Sequence, residues 1–198
     1  MGSDPAPFFA NLFLFSYESK WVKYNAYHNF RKAKGVFNTF RYIDDLKTLN
    51  DDEQFCNYIN DIYPPELILN KENSSPLHAT YLDLDITVVS NKFVYKLYDK
   101  RNAYPFNIVR FPFICSNIPK RMFYSTIQAE MIRIAIATSV YTSLLDSCRP
   151  FLNRMLKQGA SRIAIKKPLE SMITKHISGF SKFGQNRGQV VNDIMGLI

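Results

Sequence analysis

No stretch of this 198-residue chain is both apolar and long enough to cross a bilayer. Pro5 to Tyr17 is too short and contains Asn11, and Met131 to Leu145 is interrupted by Arg133. Nor do we expect a secretion signal, because Asp4 stands where a basic segment belongs and no small-residue cleavage site follows Phe8 to Phe15. Ala6 occupies the place where a myristoylation signal wants Ser or Thr. Cysteine is scarce: Cys56, Cys115 and Cys148 are odd in number and widely spaced, which fits neither a disulfide framework nor a zinc site. With 7 glycines and 10 prolines the chain is not collagen-like or low in complexity, and no repeat marks a solenoid or propeller. These absences lead us to expect an intracellular protein of a reducing compartment, nucleus or cytoplasm, with no membrane partner.

What is present is a chain able to fold, since 46% of its residues are hydrophobic and 21% charged. Charge is distributed unevenly. Residues 1–90 carry 8 Lys/Arg against 12 Asp/Glu, whereas residues 91–198 carry 17 against 5. A basic half with interleaved aromatics suits a polyanion, and an acidic half suits divalent cations. A solvated basic surface without a partner is the competing reading of charge alone.

Periodicity divides the chain in the same way. Pro5 and Pro7 open a helix in which Phe9, Phe13, Tyr17 and Trp21 recur every fourth residue, read as a core-facing stripe rather than a platform for bases. Residues 28–36 read as a connection and Phe37 to Leu49 as two short strands meeting at Asp44 and Asp45. A helix from Asp51 to Tyr63 stops at Pro64-Pro65, and Glu66 to Asn70 reads as a strand. Residues 81–89 alternate as one strand, and Ser90-Asn91 turns the chain into a second strand from Lys92 to Tyr98. Pro119 opens a long helix with Met122 or Phe123, Ile127, Met131 and Ile134 on one face. Helical segments follow over about 139–157 and 168–177. The expected fold class is therefore α+β, with a strand-rich part over 1–99, a helical basic part over 100–177 and a mobile tail over 178–198.

The sharpest chemical signal is Phe40-Arg41-Tyr42-Ile43-Asp44-Asp45-Leu46. Adjacent carboxylates at a strand-turn-strand tip repel each other unless a cation lies between them. Magnesium is the matching cation, because it takes one or two carboxylates and keeps water or phosphate oxygens in its other positions. In two-metal phosphoryl transfer one ion activates the attacking hydroxyl and the other neutralises the leaving group. An Asp-Asp turn is more often only a turn.

Its company changes that weighting. Met1-Gly2-Ser3, Pro7, Ala10-Asn11 and Phe13, followed downstream by Tyr42-Ile43-Asp44-Asp45, resemble two blocks of reverse transcriptases, most closely those of Penelope-like retroelements. Asp4 and Ala6 depart from the Pro and Ser usual in the first block. The resemblance covers about residues 1–160 and implies a partial polymerase palm followed by a helical thumb-like region. It implies catalytic, metal-binding roles for Asp44 and Asp45 with two Mg2+ ions, and contacts to nucleotide or template from Gly2, Ser3, Asn11 and Tyr42. It further implies an RNA template, a DNA primer and deoxynucleotides as partners. In that family a third metal-binding Asp and the basic fingers lie upstream of the Gly-Ser block, whereas this chain starts inside it. We therefore expect the C-terminal two-thirds of a polymerase domain, inactive alone. A remnant that only grips nucleic acid, or an unrelated basic α+β domain, are the alternatives. The oligomeric state is not legible.

Lys92, Lys96, Lys100, Arg101, Arg110, Lys120, Arg121 and Arg133 are the candidate phosphate contacts, several at a hairpin or a helix start. Lys71 is a candidate general acid for a leaving pyrophosphate, weighed against an ordinary surface lysine. Asp83 and Asp85 would point the same way about 6.7 Å apart on one strand, as a second metal site or as a solvated face. His28, His78 and His176 lack metal-ligand spacing and receive no role.

Overall fold

The computed structural model describes residues 5–49, 52–73, 75–106 and 108–198. Over these residues the chain is mixed α+β, with eight α-helices and two small antiparallel sheets. It divides into two compact units, Met1–Pro76 and Leu77–Ile198. The division falls ahead of the hairpin that the sequence grouped with the first part. None of the described helices is long and apolar enough to cross a membrane.

The first unit opens with α1 (Ala6–His28), which begins on prolines because their missing N–H groups fall where the first turn has no partner. Asn29 ends α1 and caps α2 (Phe30–Gly35), its side chain accepting from the Lys32 amide at 3.3 Å, so 28–36 is partly helical rather than a plain connection. β1 (Thr39–Tyr42) and β2 (Asp45–Thr48) form the first sheet, with Arg41 opposite Leu46 and Tyr42 opposite Asp45. α3 (Asp52–Ile62) follows as the spacing of its apolar residues requires. Trp21, Phe55, Ile62 and Tyr63 form the small core, with Leu46, Tyr58 and Ile59 packed on it.

Two expectations fail here. Residues 66–70 are not a strand: a turn from Pro64 to Leu67 bends them, and Ile68 is exposed and paired with no strand among the described residues. The α1 stripe is core only at Trp21; Phe9 and Phe13 are 62% and 50% exposed. The N-terminal half of α1 is apolar on every side, with Phe8, Leu12 and Phe15 exposed too, so it has no distinct buried face.

The second unit begins with β3 (His78–Tyr81), β4 (Leu84–Val89) and β5 (Lys92–Leu97), paired in that order. Residues 81–89 are thus not one strand. Leu82, at φ +53°, starts a two-residue turn with Asp83, and Asp83 and Asp85 do not share a strand face. Ser90 and Asn91 both take positive φ, as a tight hairpin turn demands. Ser139 fastens β5 to the helices through hydrogen bonds to both the amide and the carbonyl of Tyr95.

α4 (Lys120–Ile136), α5 (Tyr141–Lys157) and α6 (Arg162–Lys175) supply the main core, including Phe123, Met131, Leu144, Leu152 and Ile165. Phe123, not Met122, is the buried residue of the first α4 turn. α6 starts six residues before the expected position and contains Pro168 in its interior. The buried stripe Ile165, Leu169, Met172 and Ile173 holds it, and the Pro168 carbonyl accepts from Gln128 at 2.8 Å. The expected mobile tail is instead α7 (Ile177–Ser181) and α8 (Arg187–Met195), the latter capped by Asn186. Val190, Val191 and Ile194 occupy one face of α8 and are buried, which anchors the segment.

Candidate functional site

Asp44 and Asp45 stand at the tip of the β1–β2 hairpin, both exposed. Ile43 and Asp44 form the two-residue turn, with Ile43 at φ +54°. A positive φ at the first central position alone is the II′ pattern, which glycine usually supplies; a β-branched residue there is strained. Alternation puts Phe40 and Tyr42 on the outward face, 53% and 56% exposed, and Arg41 and Leu46 on the inward face. Among the described residues no ion pair or side-chain hydrogen bond engages either carboxylate. Adjacent bare carboxylates are a donor set that fits magnesium with most of its waters retained. The described residues contain no group of three His, Cys, Asp or Glu able to enclose a metal.

Beneath the turn lies a network that the sequence reading missed. Arg41 sends Nε and Nη2 to the two Glu18 oxygens at 2.6 and 3.2 Å, and Nη1 to Asn11 Oδ1 at 2.7 Å and to the Ile43 carbonyl at 3.1 Å. Glu18 also accepts from the Tyr63 hydroxyl at 2.7 Å. Burial first, then the hydrogen bond and charge of Glu18, push the Tyr63 phenol above the ordinary tyrosine range. Asn11, expected to meet nucleotide or template, has its side-chain oxygen committed to Arg41. The available signal was alternation itself, which puts Arg41 on the same face as the partly buried Leu46 and so demands a partner for its charge.

Gly2 and Ser3 lie outside the described residues. Lys71 is exposed on irregular chain after Asn70. Of the candidate phosphate contacts, four carry carboxylate partners within the second unit. Arg133 is bound by Glu130 at 2.7 and 3.0 Å and by Asp83 at 3.1 Å, and Arg110 lies 3.5 Å from Glu130. Arg101 is paired with Asp99 at 2.7 Å, and Lys96 lies 3.6 Å from Asp85, which also meets His78 at 2.6 Å. Lys92, Lys100, Lys120 and Arg121 are exposed and in no ion pair among the described residues. Asp99 also receives Arg154 at 3.0 Å. Burial alone would raise its carboxyl, but the hydrogen bonds of Arg101 and the charges of Arg101 and Arg154 outweigh that and bring it down to about 2.

Comparison with protein-family models, with curated proteins and with solved structures found no match. A cavity of about 330 Å3 in the second unit, bordered by Leu97, Ala129, Ile132 and Ile136, is almost wholly apolar apart from the Asp83–Arg133 pair. It lacks convergent polar groups and offers no chemistry of its own.

Proposed function

We propose that this chain is part of a reverse transcriptase: a partial polymerase palm over residues 1–99 that carries the Asp44–Asp45 turn and the hairpin after it, together with a thumb-like basic region. The observation that carries the reading is the pair of bare, adjacent carboxylates at the hairpin tip inside Tyr42-Ile43-Asp44-Asp45. Asp44 and Asp45 would hold magnesium, which when bound supplies positive charge to the attacking hydroxyl and the leaving pyrophosphate. Tyr42 projects from the same strand as an exposed ring, able to pack against a base or sugar. The exposed Lys92, Lys100, Lys120 and Arg121 offer phosphate contacts without a base-reading pattern, so binding is electrostatic and indifferent to sequence. Among the described residues two carboxylates leave two ions underdetermined, so we expect no polymerisation by the 198-residue chain alone.

A second reading is a non-catalytic nucleic-acid-binding remnant. It is favoured by the absence, among the described residues, of a third ligand near the turn. The test is a titration of an RNA–DNA primer–template duplex at several salt concentrations. We expect micromolar-range or weaker affinity that falls steeply with salt. No binding, or binding unaffected by salt, would refute both readings.

A further inference from the structure

We propose that Arg41 is a positioning residue for the Asp44–Asp45 turn: anchored on Glu18 and Asn11 of α1, its guanidinium grips the Ile43 carbonyl and sets the direction in which the two carboxylates leave the hairpin. The proposal rests on the polymerase reading of that turn. A guanidinium has five N–H donors, and five contacts account for them here. Nε and Nη2 reach the two Glu18 oxygens, Nη1 reaches Asn11 Oδ1 and the Ile43 carbonyl, and Nη2 lies 3.4 Å from the Asn11 carbonyl. The Arg41 side chain is only 12% exposed. A guanidinium so occupied has no donor left for a phosphate, so its work is on the protein. What it holds is the backbone of the residue at φ +54°, a conformation that β-branched Ile43 keeps only when its surroundings impose it.

The second unit supplies an internal comparison. Tyr81-Leu82-Asp83-Leu84 forms the same two-residue turn, with Leu82 at φ +53° and Tyr81 opposite Leu84. There the arginine is used in the opposite way: Arg133 pairs with the Asp83 carboxylate at 3.1 Å, and no described side chain bonds the Leu82 carbonyl. At that turn the acid is neutralised. At the first turn the backbone is fixed and both acids are left bare, which is what a cation-binding pair requires.

The test uses the full chain, Mn2+ as the probe, and paramagnetic broadening of the Asp44 and Asp45 amide signals to read affinity at the turn. The variants are Arg41→Met, Arg41→Lys, Asn11→Ala and Asp44→Asn, each checked for native signal dispersion. Coulomb's law alone says that removing a positive charge beneath two carboxylates tightens cation binding. Positioning says the reverse. We expect Arg41→Met and Arg41→Lys to weaken Mn2+ binding threefold or more, although Arg41→Lys keeps the charge, and Asn11→Ala to weaken it about twofold. Unchanged or tighter binding in a folded Arg41 variant overturns the proposal while leaving the metal-binding turn standing. Should both Arg41 variants lose native dispersion, Asn11→Ala decides, and unchanged affinity there overturns the proposal. No broadening in the unaltered chain, or broadening that persists in Asp44→Asn, overturns the polymerase reading and the proposal with it.

Discussion

Gly159 and Gly184 both have positive φ, +98° and +70°, yet alanine at the two positions should have very different effects. α5 ends in a Schellman motif: the Ala160 amide bonds the Met155 carbonyl and the Gly159 amide the Leu156 carbonyl, each at 3.0 Å, with Gly159 in the left-handed place. A Cβ built on Gly159 would sit 2.5 Å from Ile114 Cγ2, whereas one on Gly184 meets nothing within 4 Å. Ile114 cannot simply retreat, because its amide is tied to the Gln158 carbonyl at 2.9 Å and Gln158 Nε2 donates to the Phe111 carbonyl at 2.8 Å. Alanine at Gly184 should cost only the conformational strain, about 1–2 kcal/mol. At Gly159 the overpacking of a fixed loop adds a further 1–3 kcal/mol or so, for a total of about 2–5 kcal/mol. Urea unfolding of the unaltered chain, the two single variants and Gly159→Ala combined with Ile114→Ala gives these differences, the double variant reading the steric part as a coupling. Equal losses at the two glycines, or no coupling to Ile114, would refute the reasoning.

Three further outcomes follow. Asp99 has its folded pKa lowered from 3.8 to about 2, so it contributes stability that is fully present above pH 4 and is lost as pH falls toward 2. After allowance for solvent screening that contribution is roughly 1 kcal/mol, and Asp99→Asn should abolish this part of the acid dependence in urea unfolding. All three cysteines are free, and burial pushes the Cys148 thiol up to about 12, so a thiol reagent at neutral pH should label Cys56 and Cys115 quickly and Cys148 only on unfolding. Replacing both Lys120 and Arg121 by alanine should weaken duplex binding and reduce the slope of log affinity against log salt by about 1–2, and an unaltered slope would remove α4's first turn from the interface.

Elements with a strong local pattern were legible: the Asp-Asp hairpin, the Ser90-Asn91 turn and the buried face of α4 all follow from period and turn chemistry. Errors arose where tertiary context outweighs pattern. Period-2 alternation runs through residues 81–89, but it does not reveal that Leu82 adopts a positive φ and folds the chain back. Pro168 reads as a helix start, yet a buried stripe carries α6 through it. At the candidate site the carboxylates were legible as residue types in a turn. The support under them was not, because Glu18, Arg41 and Tyr63 are separated by 23 and 22 positions and only folding brings them together.

Primer extension on an RNA template with magnesium tests the central claim most directly. It should compare the chain as given with the chain joined to an upstream palm strand and fingers carrying a further Asp, with and without Asp44→Asn or Asp45→Asn. We expect no extension by the 198-residue chain, extension by the joined form, and a loss of several powers of ten in rate in either Asn variant, since metal charge supplies several kcal/mol of transition-state stabilisation. Robust extension by the chain alone would contradict the ligand count, and undiminished extension by the Asn variants would remove Asp44 and Asp45 from the chemistry.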